Sequence, residues 1–201
     1  MPAMPTFAVL GFRPHTYWTA VAAVAGPAEA PRVIERRRIT FAQPEESFVY
    51  HRAADSDWRE APALIEAARV AQQAAAVREI GQLLMDLQKR DVAVRVAVTA
   101  ASTAKLPERL DDVLSTHSRI HAAEGTFARE VIAQACGTLK LTVHRVVERE
   151  LGALAADHLR ISHDQLAARL RLMGAELGPP WSEDFKLCVQ AAWLQLAPVA
   201  A

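Results

Sequence analysis

The chain has 201 residues, of which 51% are hydrophobic, enough to form the core of one sizeable domain. Its 23 basic and 23 acidic side chains cancel, so the sequence lacks the overall basic excess typical of dedicated nucleic-acid-binding proteins, and any such surface must be a local patch. No apolar stretch is long enough to span a bilayer, and the first residues lack the basic start and long apolar run of a signal peptide, so we expect a cytoplasmic protein that does not associate with membranes.

The first third of the chain has the pattern of three β-strands. Residues 7–12, 17–24 and 32–41 form apolar or β-branched runs that are separated by short segments containing proline or glycine. This spacing predicts an antiparallel meander.

The pattern then changes to helical spacing. Apolar residues predict a long alanine-rich helix over residues 58–90, followed by an almost entirely aliphatic strand over residues 92–98. The long helix carries more small and apolar residues than are needed to cover one face of a sheet. We therefore expect a homodimer.

The second half of the chain alternates between helices and one further strand. A short helix is predicted over 110–117, and a longer helix, a strand and three more helices follow over residues 122–139, 141–147, 148–158, 162–176 and 183–196. A meander followed by alternating elements predicts a single α/β domain over residues 1–201, with a mixed five-stranded sheet and helices on both faces. Two apolar segments contain the cysteines, Cys136 and Cys188, which we interpret as buried reduced thiols.

Three segments carry a family resemblance through their sequence and their order. They are residues 8–24 (AVLGFRPHTYWTAVAAV), 121–152 (HAAEGTFAREVIAQACGTLKLTVHRVVERELG) and 181–196 (WSEDFKLCVQAAWLQL). The first resembles the opening hairpin of the RuvC-type Holliday-junction resolvases, in which Gly11 and Pro14 match, and the others resemble a later helix–strand–helix unit and the final helix of that family. The resemblance covers nearly the whole chain and implies the ribonuclease-H-like fold, a three-strand antiparallel meander plus two parallel strands. It also implies hydrolysis of phosphodiesters by two metal ions that carboxylates hold.

Most of the carboxylates that this chemistry needs are missing from the sequence. Arg13 stands where the resemblance places the first-strand aspartate, and a guanidinium cannot ligate a cation. The fourth strand ends without an acid. On the final helix Asp184 matches one of two expected acids, with Glu183 beside it, whereas Leu187 stands at the other position. Asp184 then serves either as an ordinary acid at a helix N-terminus or as a partner of Arg13 across the end of the sheet.

We therefore expect a non-catalytic ribonuclease-H-like protein that acts as a binding or assembly module, without a metal or other cofactor. One alternative is a divergent nuclease for structured nucleic acid that uses Mg²⁺ with Glu183 and Asp184. Another is a domain that binds a small anion or ligand through Arg13 and His15. Tyr17 and Trp18 follow in the same turn. The simpler interpretation is that this aromatic pair only begins the second strand, since aromatic residues favour strands.

Arg36 and Arg38 are candidates for binding nucleic acid. Strand alternation places them on one face of the third strand and Arg37 on the other. Such a row can bind phosphates, although charges that protect an exposed edge strand are the more ordinary interpretation.

His117, His121 and Glu124 fall at positions i, i+4 and i+7 if the predicted helix extends that far back. This spacing could present three zinc ligands on one helix face. A polar helix start is the commoner structure for such residues, and we predict no metal site here.

Overall fold

The computed structural model describes residues 5–101 and 103–196. Its centre is one five-stranded sheet with the strand order β3-β2-β1-β4-β5. The strands are β1 (Thr6–Pro14), β2 (Trp18–Ala25), β3 (Arg32–Thr40), β4 (Val92–Ala100) and β5 (Thr142–Val146). β2 is antiparallel to β1 and β3, β4 is parallel to β1, and β5 is parallel to β4. The predicted meander with two parallel strands is confirmed.

Helices cover both faces of this sheet, as predicted. They are α1 (Pro44–Ser47), α2 (Val49–Ala54), α3 (Ala61–Gln88), α4 (Leu110–Leu114), α5 (His117–Thr138), α6 (Leu151–His158), α7 (His163–Leu177) and α8 (Glu183–Trp193), and a 3₁₀ turn (Glu148–Glu150) precedes α6. One buried cluster joins the sheet to α3 and α5, and a second joins its other face to α6, α7 and α8. Across the described ranges, none of the helices is both long and apolar enough to cross a membrane.

Apart from shifts of a few residues at other helix ends, the structure departs from the sequence-based expectation in two places. α1 and α2 fill a segment for which no helix was predicted, because they are only 4 and 6 residues long and cannot show an apolar period. α5 begins at His117, five residues before the predicted start, because its first turn is polar. Both departures bear on the position of the histidines.

Gly11 allows α8 to lie directly against β1. A Cβ atom at residue 11 would stand 1.9 Å from the carbonyl oxygen of Cys188, a distance that no side chain tolerates. Trp193 fixes the far end of the same helix, since it is fully buried and its Nε1 donates a hydrogen bond of 2.7 Å to the carbonyl oxygen of Ala28. This close packing sets the start of α8 beside the end of β1.

Candidate functional site: an ion-pair network at the sheet end

The carboxyl end of β1 carries a network of charged side chains. The Arg13 guanidinium donates to both carboxylate oxygens of Glu148, through Nη2 at 2.9 Å and Nε at 3.2 Å. Its Nη1 donates to Asp184, whose Oδ1 also lies 2.9 Å from Nε2 of His15. One arginine and one histidine thus hold two carboxylates from distant parts of the chain.

The topology explains why these residues meet. β1, β4 and β5 are parallel, so their carboxyl ends lie at one edge of the sheet. Arg13 is the penultimate residue of β1, Glu148 follows β5 by two residues, and Asp184 lies in the first turn of α8. Both carboxylates therefore reach the guanidinium from the flanking elements.

The network is partly shielded from solvent, and this shifts the pKa values within it. The side chains of Arg13 and Asp184 are 27% and 21% exposed. Burial by itself raises the pKa of Asp184, but the hydrogen bonds from Arg13 and His15 outweigh burial and hold that pKa below its ordinary value. The hydrogen bonds to Glu148 are the largest cause of a raised pKa for Arg13, so its guanidinium stays charged. Arg13 and Asp184 are therefore both charged at neutral pH.

An open cleft of about 680 Å³ borders the network. Arg13 and Glu148 line it together with further residues of both charges, among them Arg129, Arg149 and Glu183. The cleft therefore has a mixed electrostatic character rather than a strongly positive or negative one.

The comparisons with known proteins identify the fold and no more than the fold. No protein-family model matches the chain, and no curated protein matches it. Among solved structures, Thermus thermophilus RuvC in complex with a Holliday-junction substrate matches with a TM-score of 0.52 and 11% identity, over 94% of this chain and 91% of RuvC. The chain has a RuvC-like, ribonuclease-H-like fold.

Two further solved structures are similar. Another Thermus thermophilus RuvC structure has a TM-score of 0.49 and 10% identity over 93% of this chain and 92% of RuvC. A Ppx/GppA family member from Aquifex aeolicus has a TM-score of 0.39 and 11% identity, over 77% of this chain and 40% of its own length.

The residues at this RuvC-like sheet end do not fit a pair of catalytic metal ions. Phe12 of β1 pairs with Thr99 of β4, so the position level with Arg13 is Ala100, which has no ligand atom. Thr99 itself is buried. Glu148 and Asp184, which could serve as oxygen ligands, are bound to the guanidinium. A divalent ion needs several oxygen ligands, and here a cation of the protein already occupies the two carboxylates.

The other predicted site residues have separate positions. Glu183 lines the cleft, is largely exposed, and pairs with Lys186 at 3.1 Å. Nη2 of Arg36 donates to the carbonyl oxygens of residues 177–179, so this arginine is engaged with the end of α7. Arg38 is exposed, and its guanidinium carbon lies 3.8 Å from the ring centroid of Trp18. His15 stacks on the same indole, with ring centroids 4.0 Å apart and planes at 9°.

One part of this site was predictable from the sequence and another was not. The pairing of Asp184 with Arg13, one of two alternatives stated for this acid, is present. Glu148 was overlooked because it was assigned only to a helix start. Its position directly after a parallel strand was the signal that could have identified it.

Proposed function

We propose that this chain is a non-catalytic ribonuclease-H-like module that binds structured nucleic acid. The observation that carries the first half of the proposal is the position of Arg13, whose guanidinium binds both carboxylates at the end of the sheet. An internal cation thus replaces the divalent ions that the resembled chemistry requires.

Electrostatic repulsion between Arg13 and a divalent ion supports the proposed loss of nuclease activity. Repulsion between a guanidinium and a divalent ion at ~4 Å is on the order of 8 kcal/mol for an effective dielectric constant near 20. The fourth strand, Val92–Ala100, contributes no carboxylate that could offset this repulsion. Mg²⁺ bound with the help of Glu183 and Asp184 would have to displace Arg13 first.

The surface around Trp18 and the fold support this choice of ligand class. The similar RuvC structure is described as a complex with a Holliday junction, and the same fold here has an exposed cation stacked on an aromatic ring, Arg38 over Trp18. Because His15 and Arg38 both lie against the Trp18 ring, the exposed guanidinium plane of Arg38 is the surface on which we expect an unstacked base to pack. A small anion at Arg13 and His15 is disfavoured, because both side chains already contact Asp184.

The test combines cleavage with binding. A labelled four-way junction, a duplex and an RNA–DNA hybrid are incubated with the protein and Mg²⁺ or Mn²⁺, and binding is measured separately in the presence of a chelator. We expect no cleavage, and binding of the junction that weakens steeply with salt. Arg13→Asp should also fail to cleave, since β4 would still lack its carboxylate.

Matched variants locate the binding surface. Arg38→Ala should weaken junction binding roughly fivefold or more, because one stacked plane and one charge are lost. Arg78→Ala removes the same charge from an exposed position on α3 and should have a much smaller effect. Metal-dependent cleavage that disappears in Asp184→Asn would establish the nuclease alternative. Equal effects of the two arginine variants would refute the assigned surface.

A further inference from the structure

Three histidines from two helices converge beside the start of α5. His51 lies on α2, and His117 and His121 lie one turn apart on α5. Each offers one ring nitrogen to a common point, and these three nitrogens lie within 4.8 Å of one another. Over residues 5–101 and 103–196, no other group of three or more histidine, cysteine or acidic side chains converges in this way.

The rings are arranged around a point rather than stacked on one another. Nε2 of His117 and Nε2 of His121 are 2.8 Å apart. The ring centroids of the three histidines are separated by 4.2 to 5.3 Å, with planes at 67° to 86°. His117 and His121 are exposed and the His51 side chain is 27% exposed, so solvent reaches the cluster.

Glu124 contacts the imidazole ring of His51, the third histidine of the cluster. It is 4% exposed, and its Oε1 accepts hydrogen bonds from the backbone N–H groups of Tyr50, at 2.7 Å, and His51, at 3.2 Å. The same oxygen lies 3.3 Å from Nδ1 of His51. A carboxylate at Nδ1 leaves Nε2 of His51 as the nitrogen that can bind a ligand. The other oxygen of Glu124, Oε2, is buried and has no hydrogen-bond partner among the residues that the structure describes.

We propose that His51, His117 and His121 bind a transition-metal ion, for which Zn²⁺ is the first candidate. Glu124 is then the carboxylate partner that orients His51. Three imidazole nitrogens with an open fourth position for water form a known type of zinc coordination. A histidine ligand that bonds a carboxylate through its other nitrogen is the usual supporting arrangement. Mg²⁺ and Ca²⁺ do not suit the site, because they prefer oxygen ligands.

The three nitrogens lie within 4.8 Å of one another, so their separations must change by up to about 1.5 Å to bind the ion. Zn–N distances of about 2.0–2.1 Å in a tetrahedral site place two ligand nitrogens roughly 3.3 Å apart. The two Nε2 atoms on α5 are slightly closer than this, and both side chains are exposed and can rotate apart. The metal would then connect α2 to α5 at the margin of the cleft, which His121 also lines.

This site is independent of the proposed nucleic-acid binding. It uses none of Arg13, Arg38, Glu148 or Asp184, and a junction-binding result of either sign leaves it unaffected. The alternative for the same residues is a histidine pair joined only by a hydrogen bond between the two Nε2 atoms.

The experiment titrates tag-free full-length protein, freed of metal by chelation, with ZnCl₂ in a calorimeter. We expect one equivalent to bind, and Co²⁺ at the same site to give the visible absorption of a tetrahedral complex. His117→Ala and His121→Ala should each weaken Zn²⁺ binding by at least about tenfold, because each removes one of three ligands. Glu124→Gln keeps an oxygen that can accept all three hydrogen bonds but removes the negative charge, so it should weaken Zn²⁺ binding by roughly tenfold, the lower end of the range for such partners.

His144→Ala is the matched control, because His144 is an exposed histidine on β5 outside the cluster. It should leave Zn²⁺ binding unchanged. A thermal melt gives a second readout: Zn²⁺ should raise the Tm of the wild-type and control proteins but not that of His117→Ala. The absence of a one-equivalent binding event, or equal losses in His117→Ala and His144→Ala, would overturn the proposal and leave only a hydrogen-bonded histidine pair.

Discussion

Replacing Arg13 with glutamine should destabilise the fold. The substitution removes the guanidinium that Glu148 and Asp184 share, and leaves two carboxylates near each other without their cation. Breaking a buried ion pair on one side costs roughly 3–5 kcal/mol, whereas an exposed pair contributes up to about 1 kcal/mol. Since the three side chains are between 21% and 37% exposed, we expect a loss of about 1–3 kcal/mol.

Equilibrium urea unfolding measures this loss directly, and thermal unfolding gives a second estimate. For a chain of this size each kcal/mol lowers Tm by roughly 2–4 °C. Arg145→Gln is the matched control, because Arg145 also binds both oxygens of one carboxylate, that of Glu130, but these side chains are 43% and 38% exposed. A loss in Arg13→Gln no larger than in Arg145→Gln would refute the argument that burial and the second carboxylate make this network important.

The same comparison has a defined pH dependence. The folded pKa of Asp184 is below its ordinary value of 3.8, so its contribution to stability is fully present above that value and is lost as the pH falls through the lowered pKa. The stability difference between the wild-type protein and Arg13→Gln should therefore become smaller as the pH falls below about 3.8. A difference that grows with acidification would contradict the assigned ion pair.

Two further predictions concern packing and assembly. Gly11→Ala should lower the free energy of unfolding by several kcal/mol or prevent folding, because its Cβ would collide with the Cys188 carbonyl oxygen. Soluble expression and urea unfolding test this prediction. A near-neutral effect would contradict the close contact of α8 with β1. The expected homodimer stays a prediction, and Val70 and Met85, both on α3, are large hydrophobic side chains at least half exposed. Sedimentation equilibrium at high micromolar concentration should show a dimer that Val70→Glu weakens, and a wild-type monomer would count against it.

The sheet was predictable because its strands have strong local patterns. β4 is almost wholly aliphatic, as a strand covered on both faces must be, and the two parallel strands and the meander follow from element order. The edge position predicted for the arginine-rich strand is also found in β3. The alternation of its side chains holds as well, since Arg37 reaches Asp86 of α3 whereas Arg36 lies against Trp181 on the opposite face.

The candidate sites were less predictable, since they depend on contacts between distant segments. His117 and His121 were recognisable from their i, i+4 spacing, but His51 lies in a short helix with no apolar period. Glu124 was considered as a metal ligand, whereas the structure turns it inward as the partner of His51. Only the packing of α2 on α5 brings these residues together.

The charge balance at the sheet end connects the fold to its proposed loss of chemistry. Two partly buried carboxylates held at one edge repel each other unless a cation lies between them. A divalent ion and a guanidinium can both supply positive charge here. A divalent ion must be bound from solvent, whereas Arg13 is part of β1 and is present in every folded molecule. The single positive charge of Arg13 offsets one of the two carboxylate charges, and its hydrogen bonds reach both carboxylates. Under the proposed function this sheet end serves as a scaffold, because both carboxylates are already bound to one guanidinium that a divalent ion would have to displace.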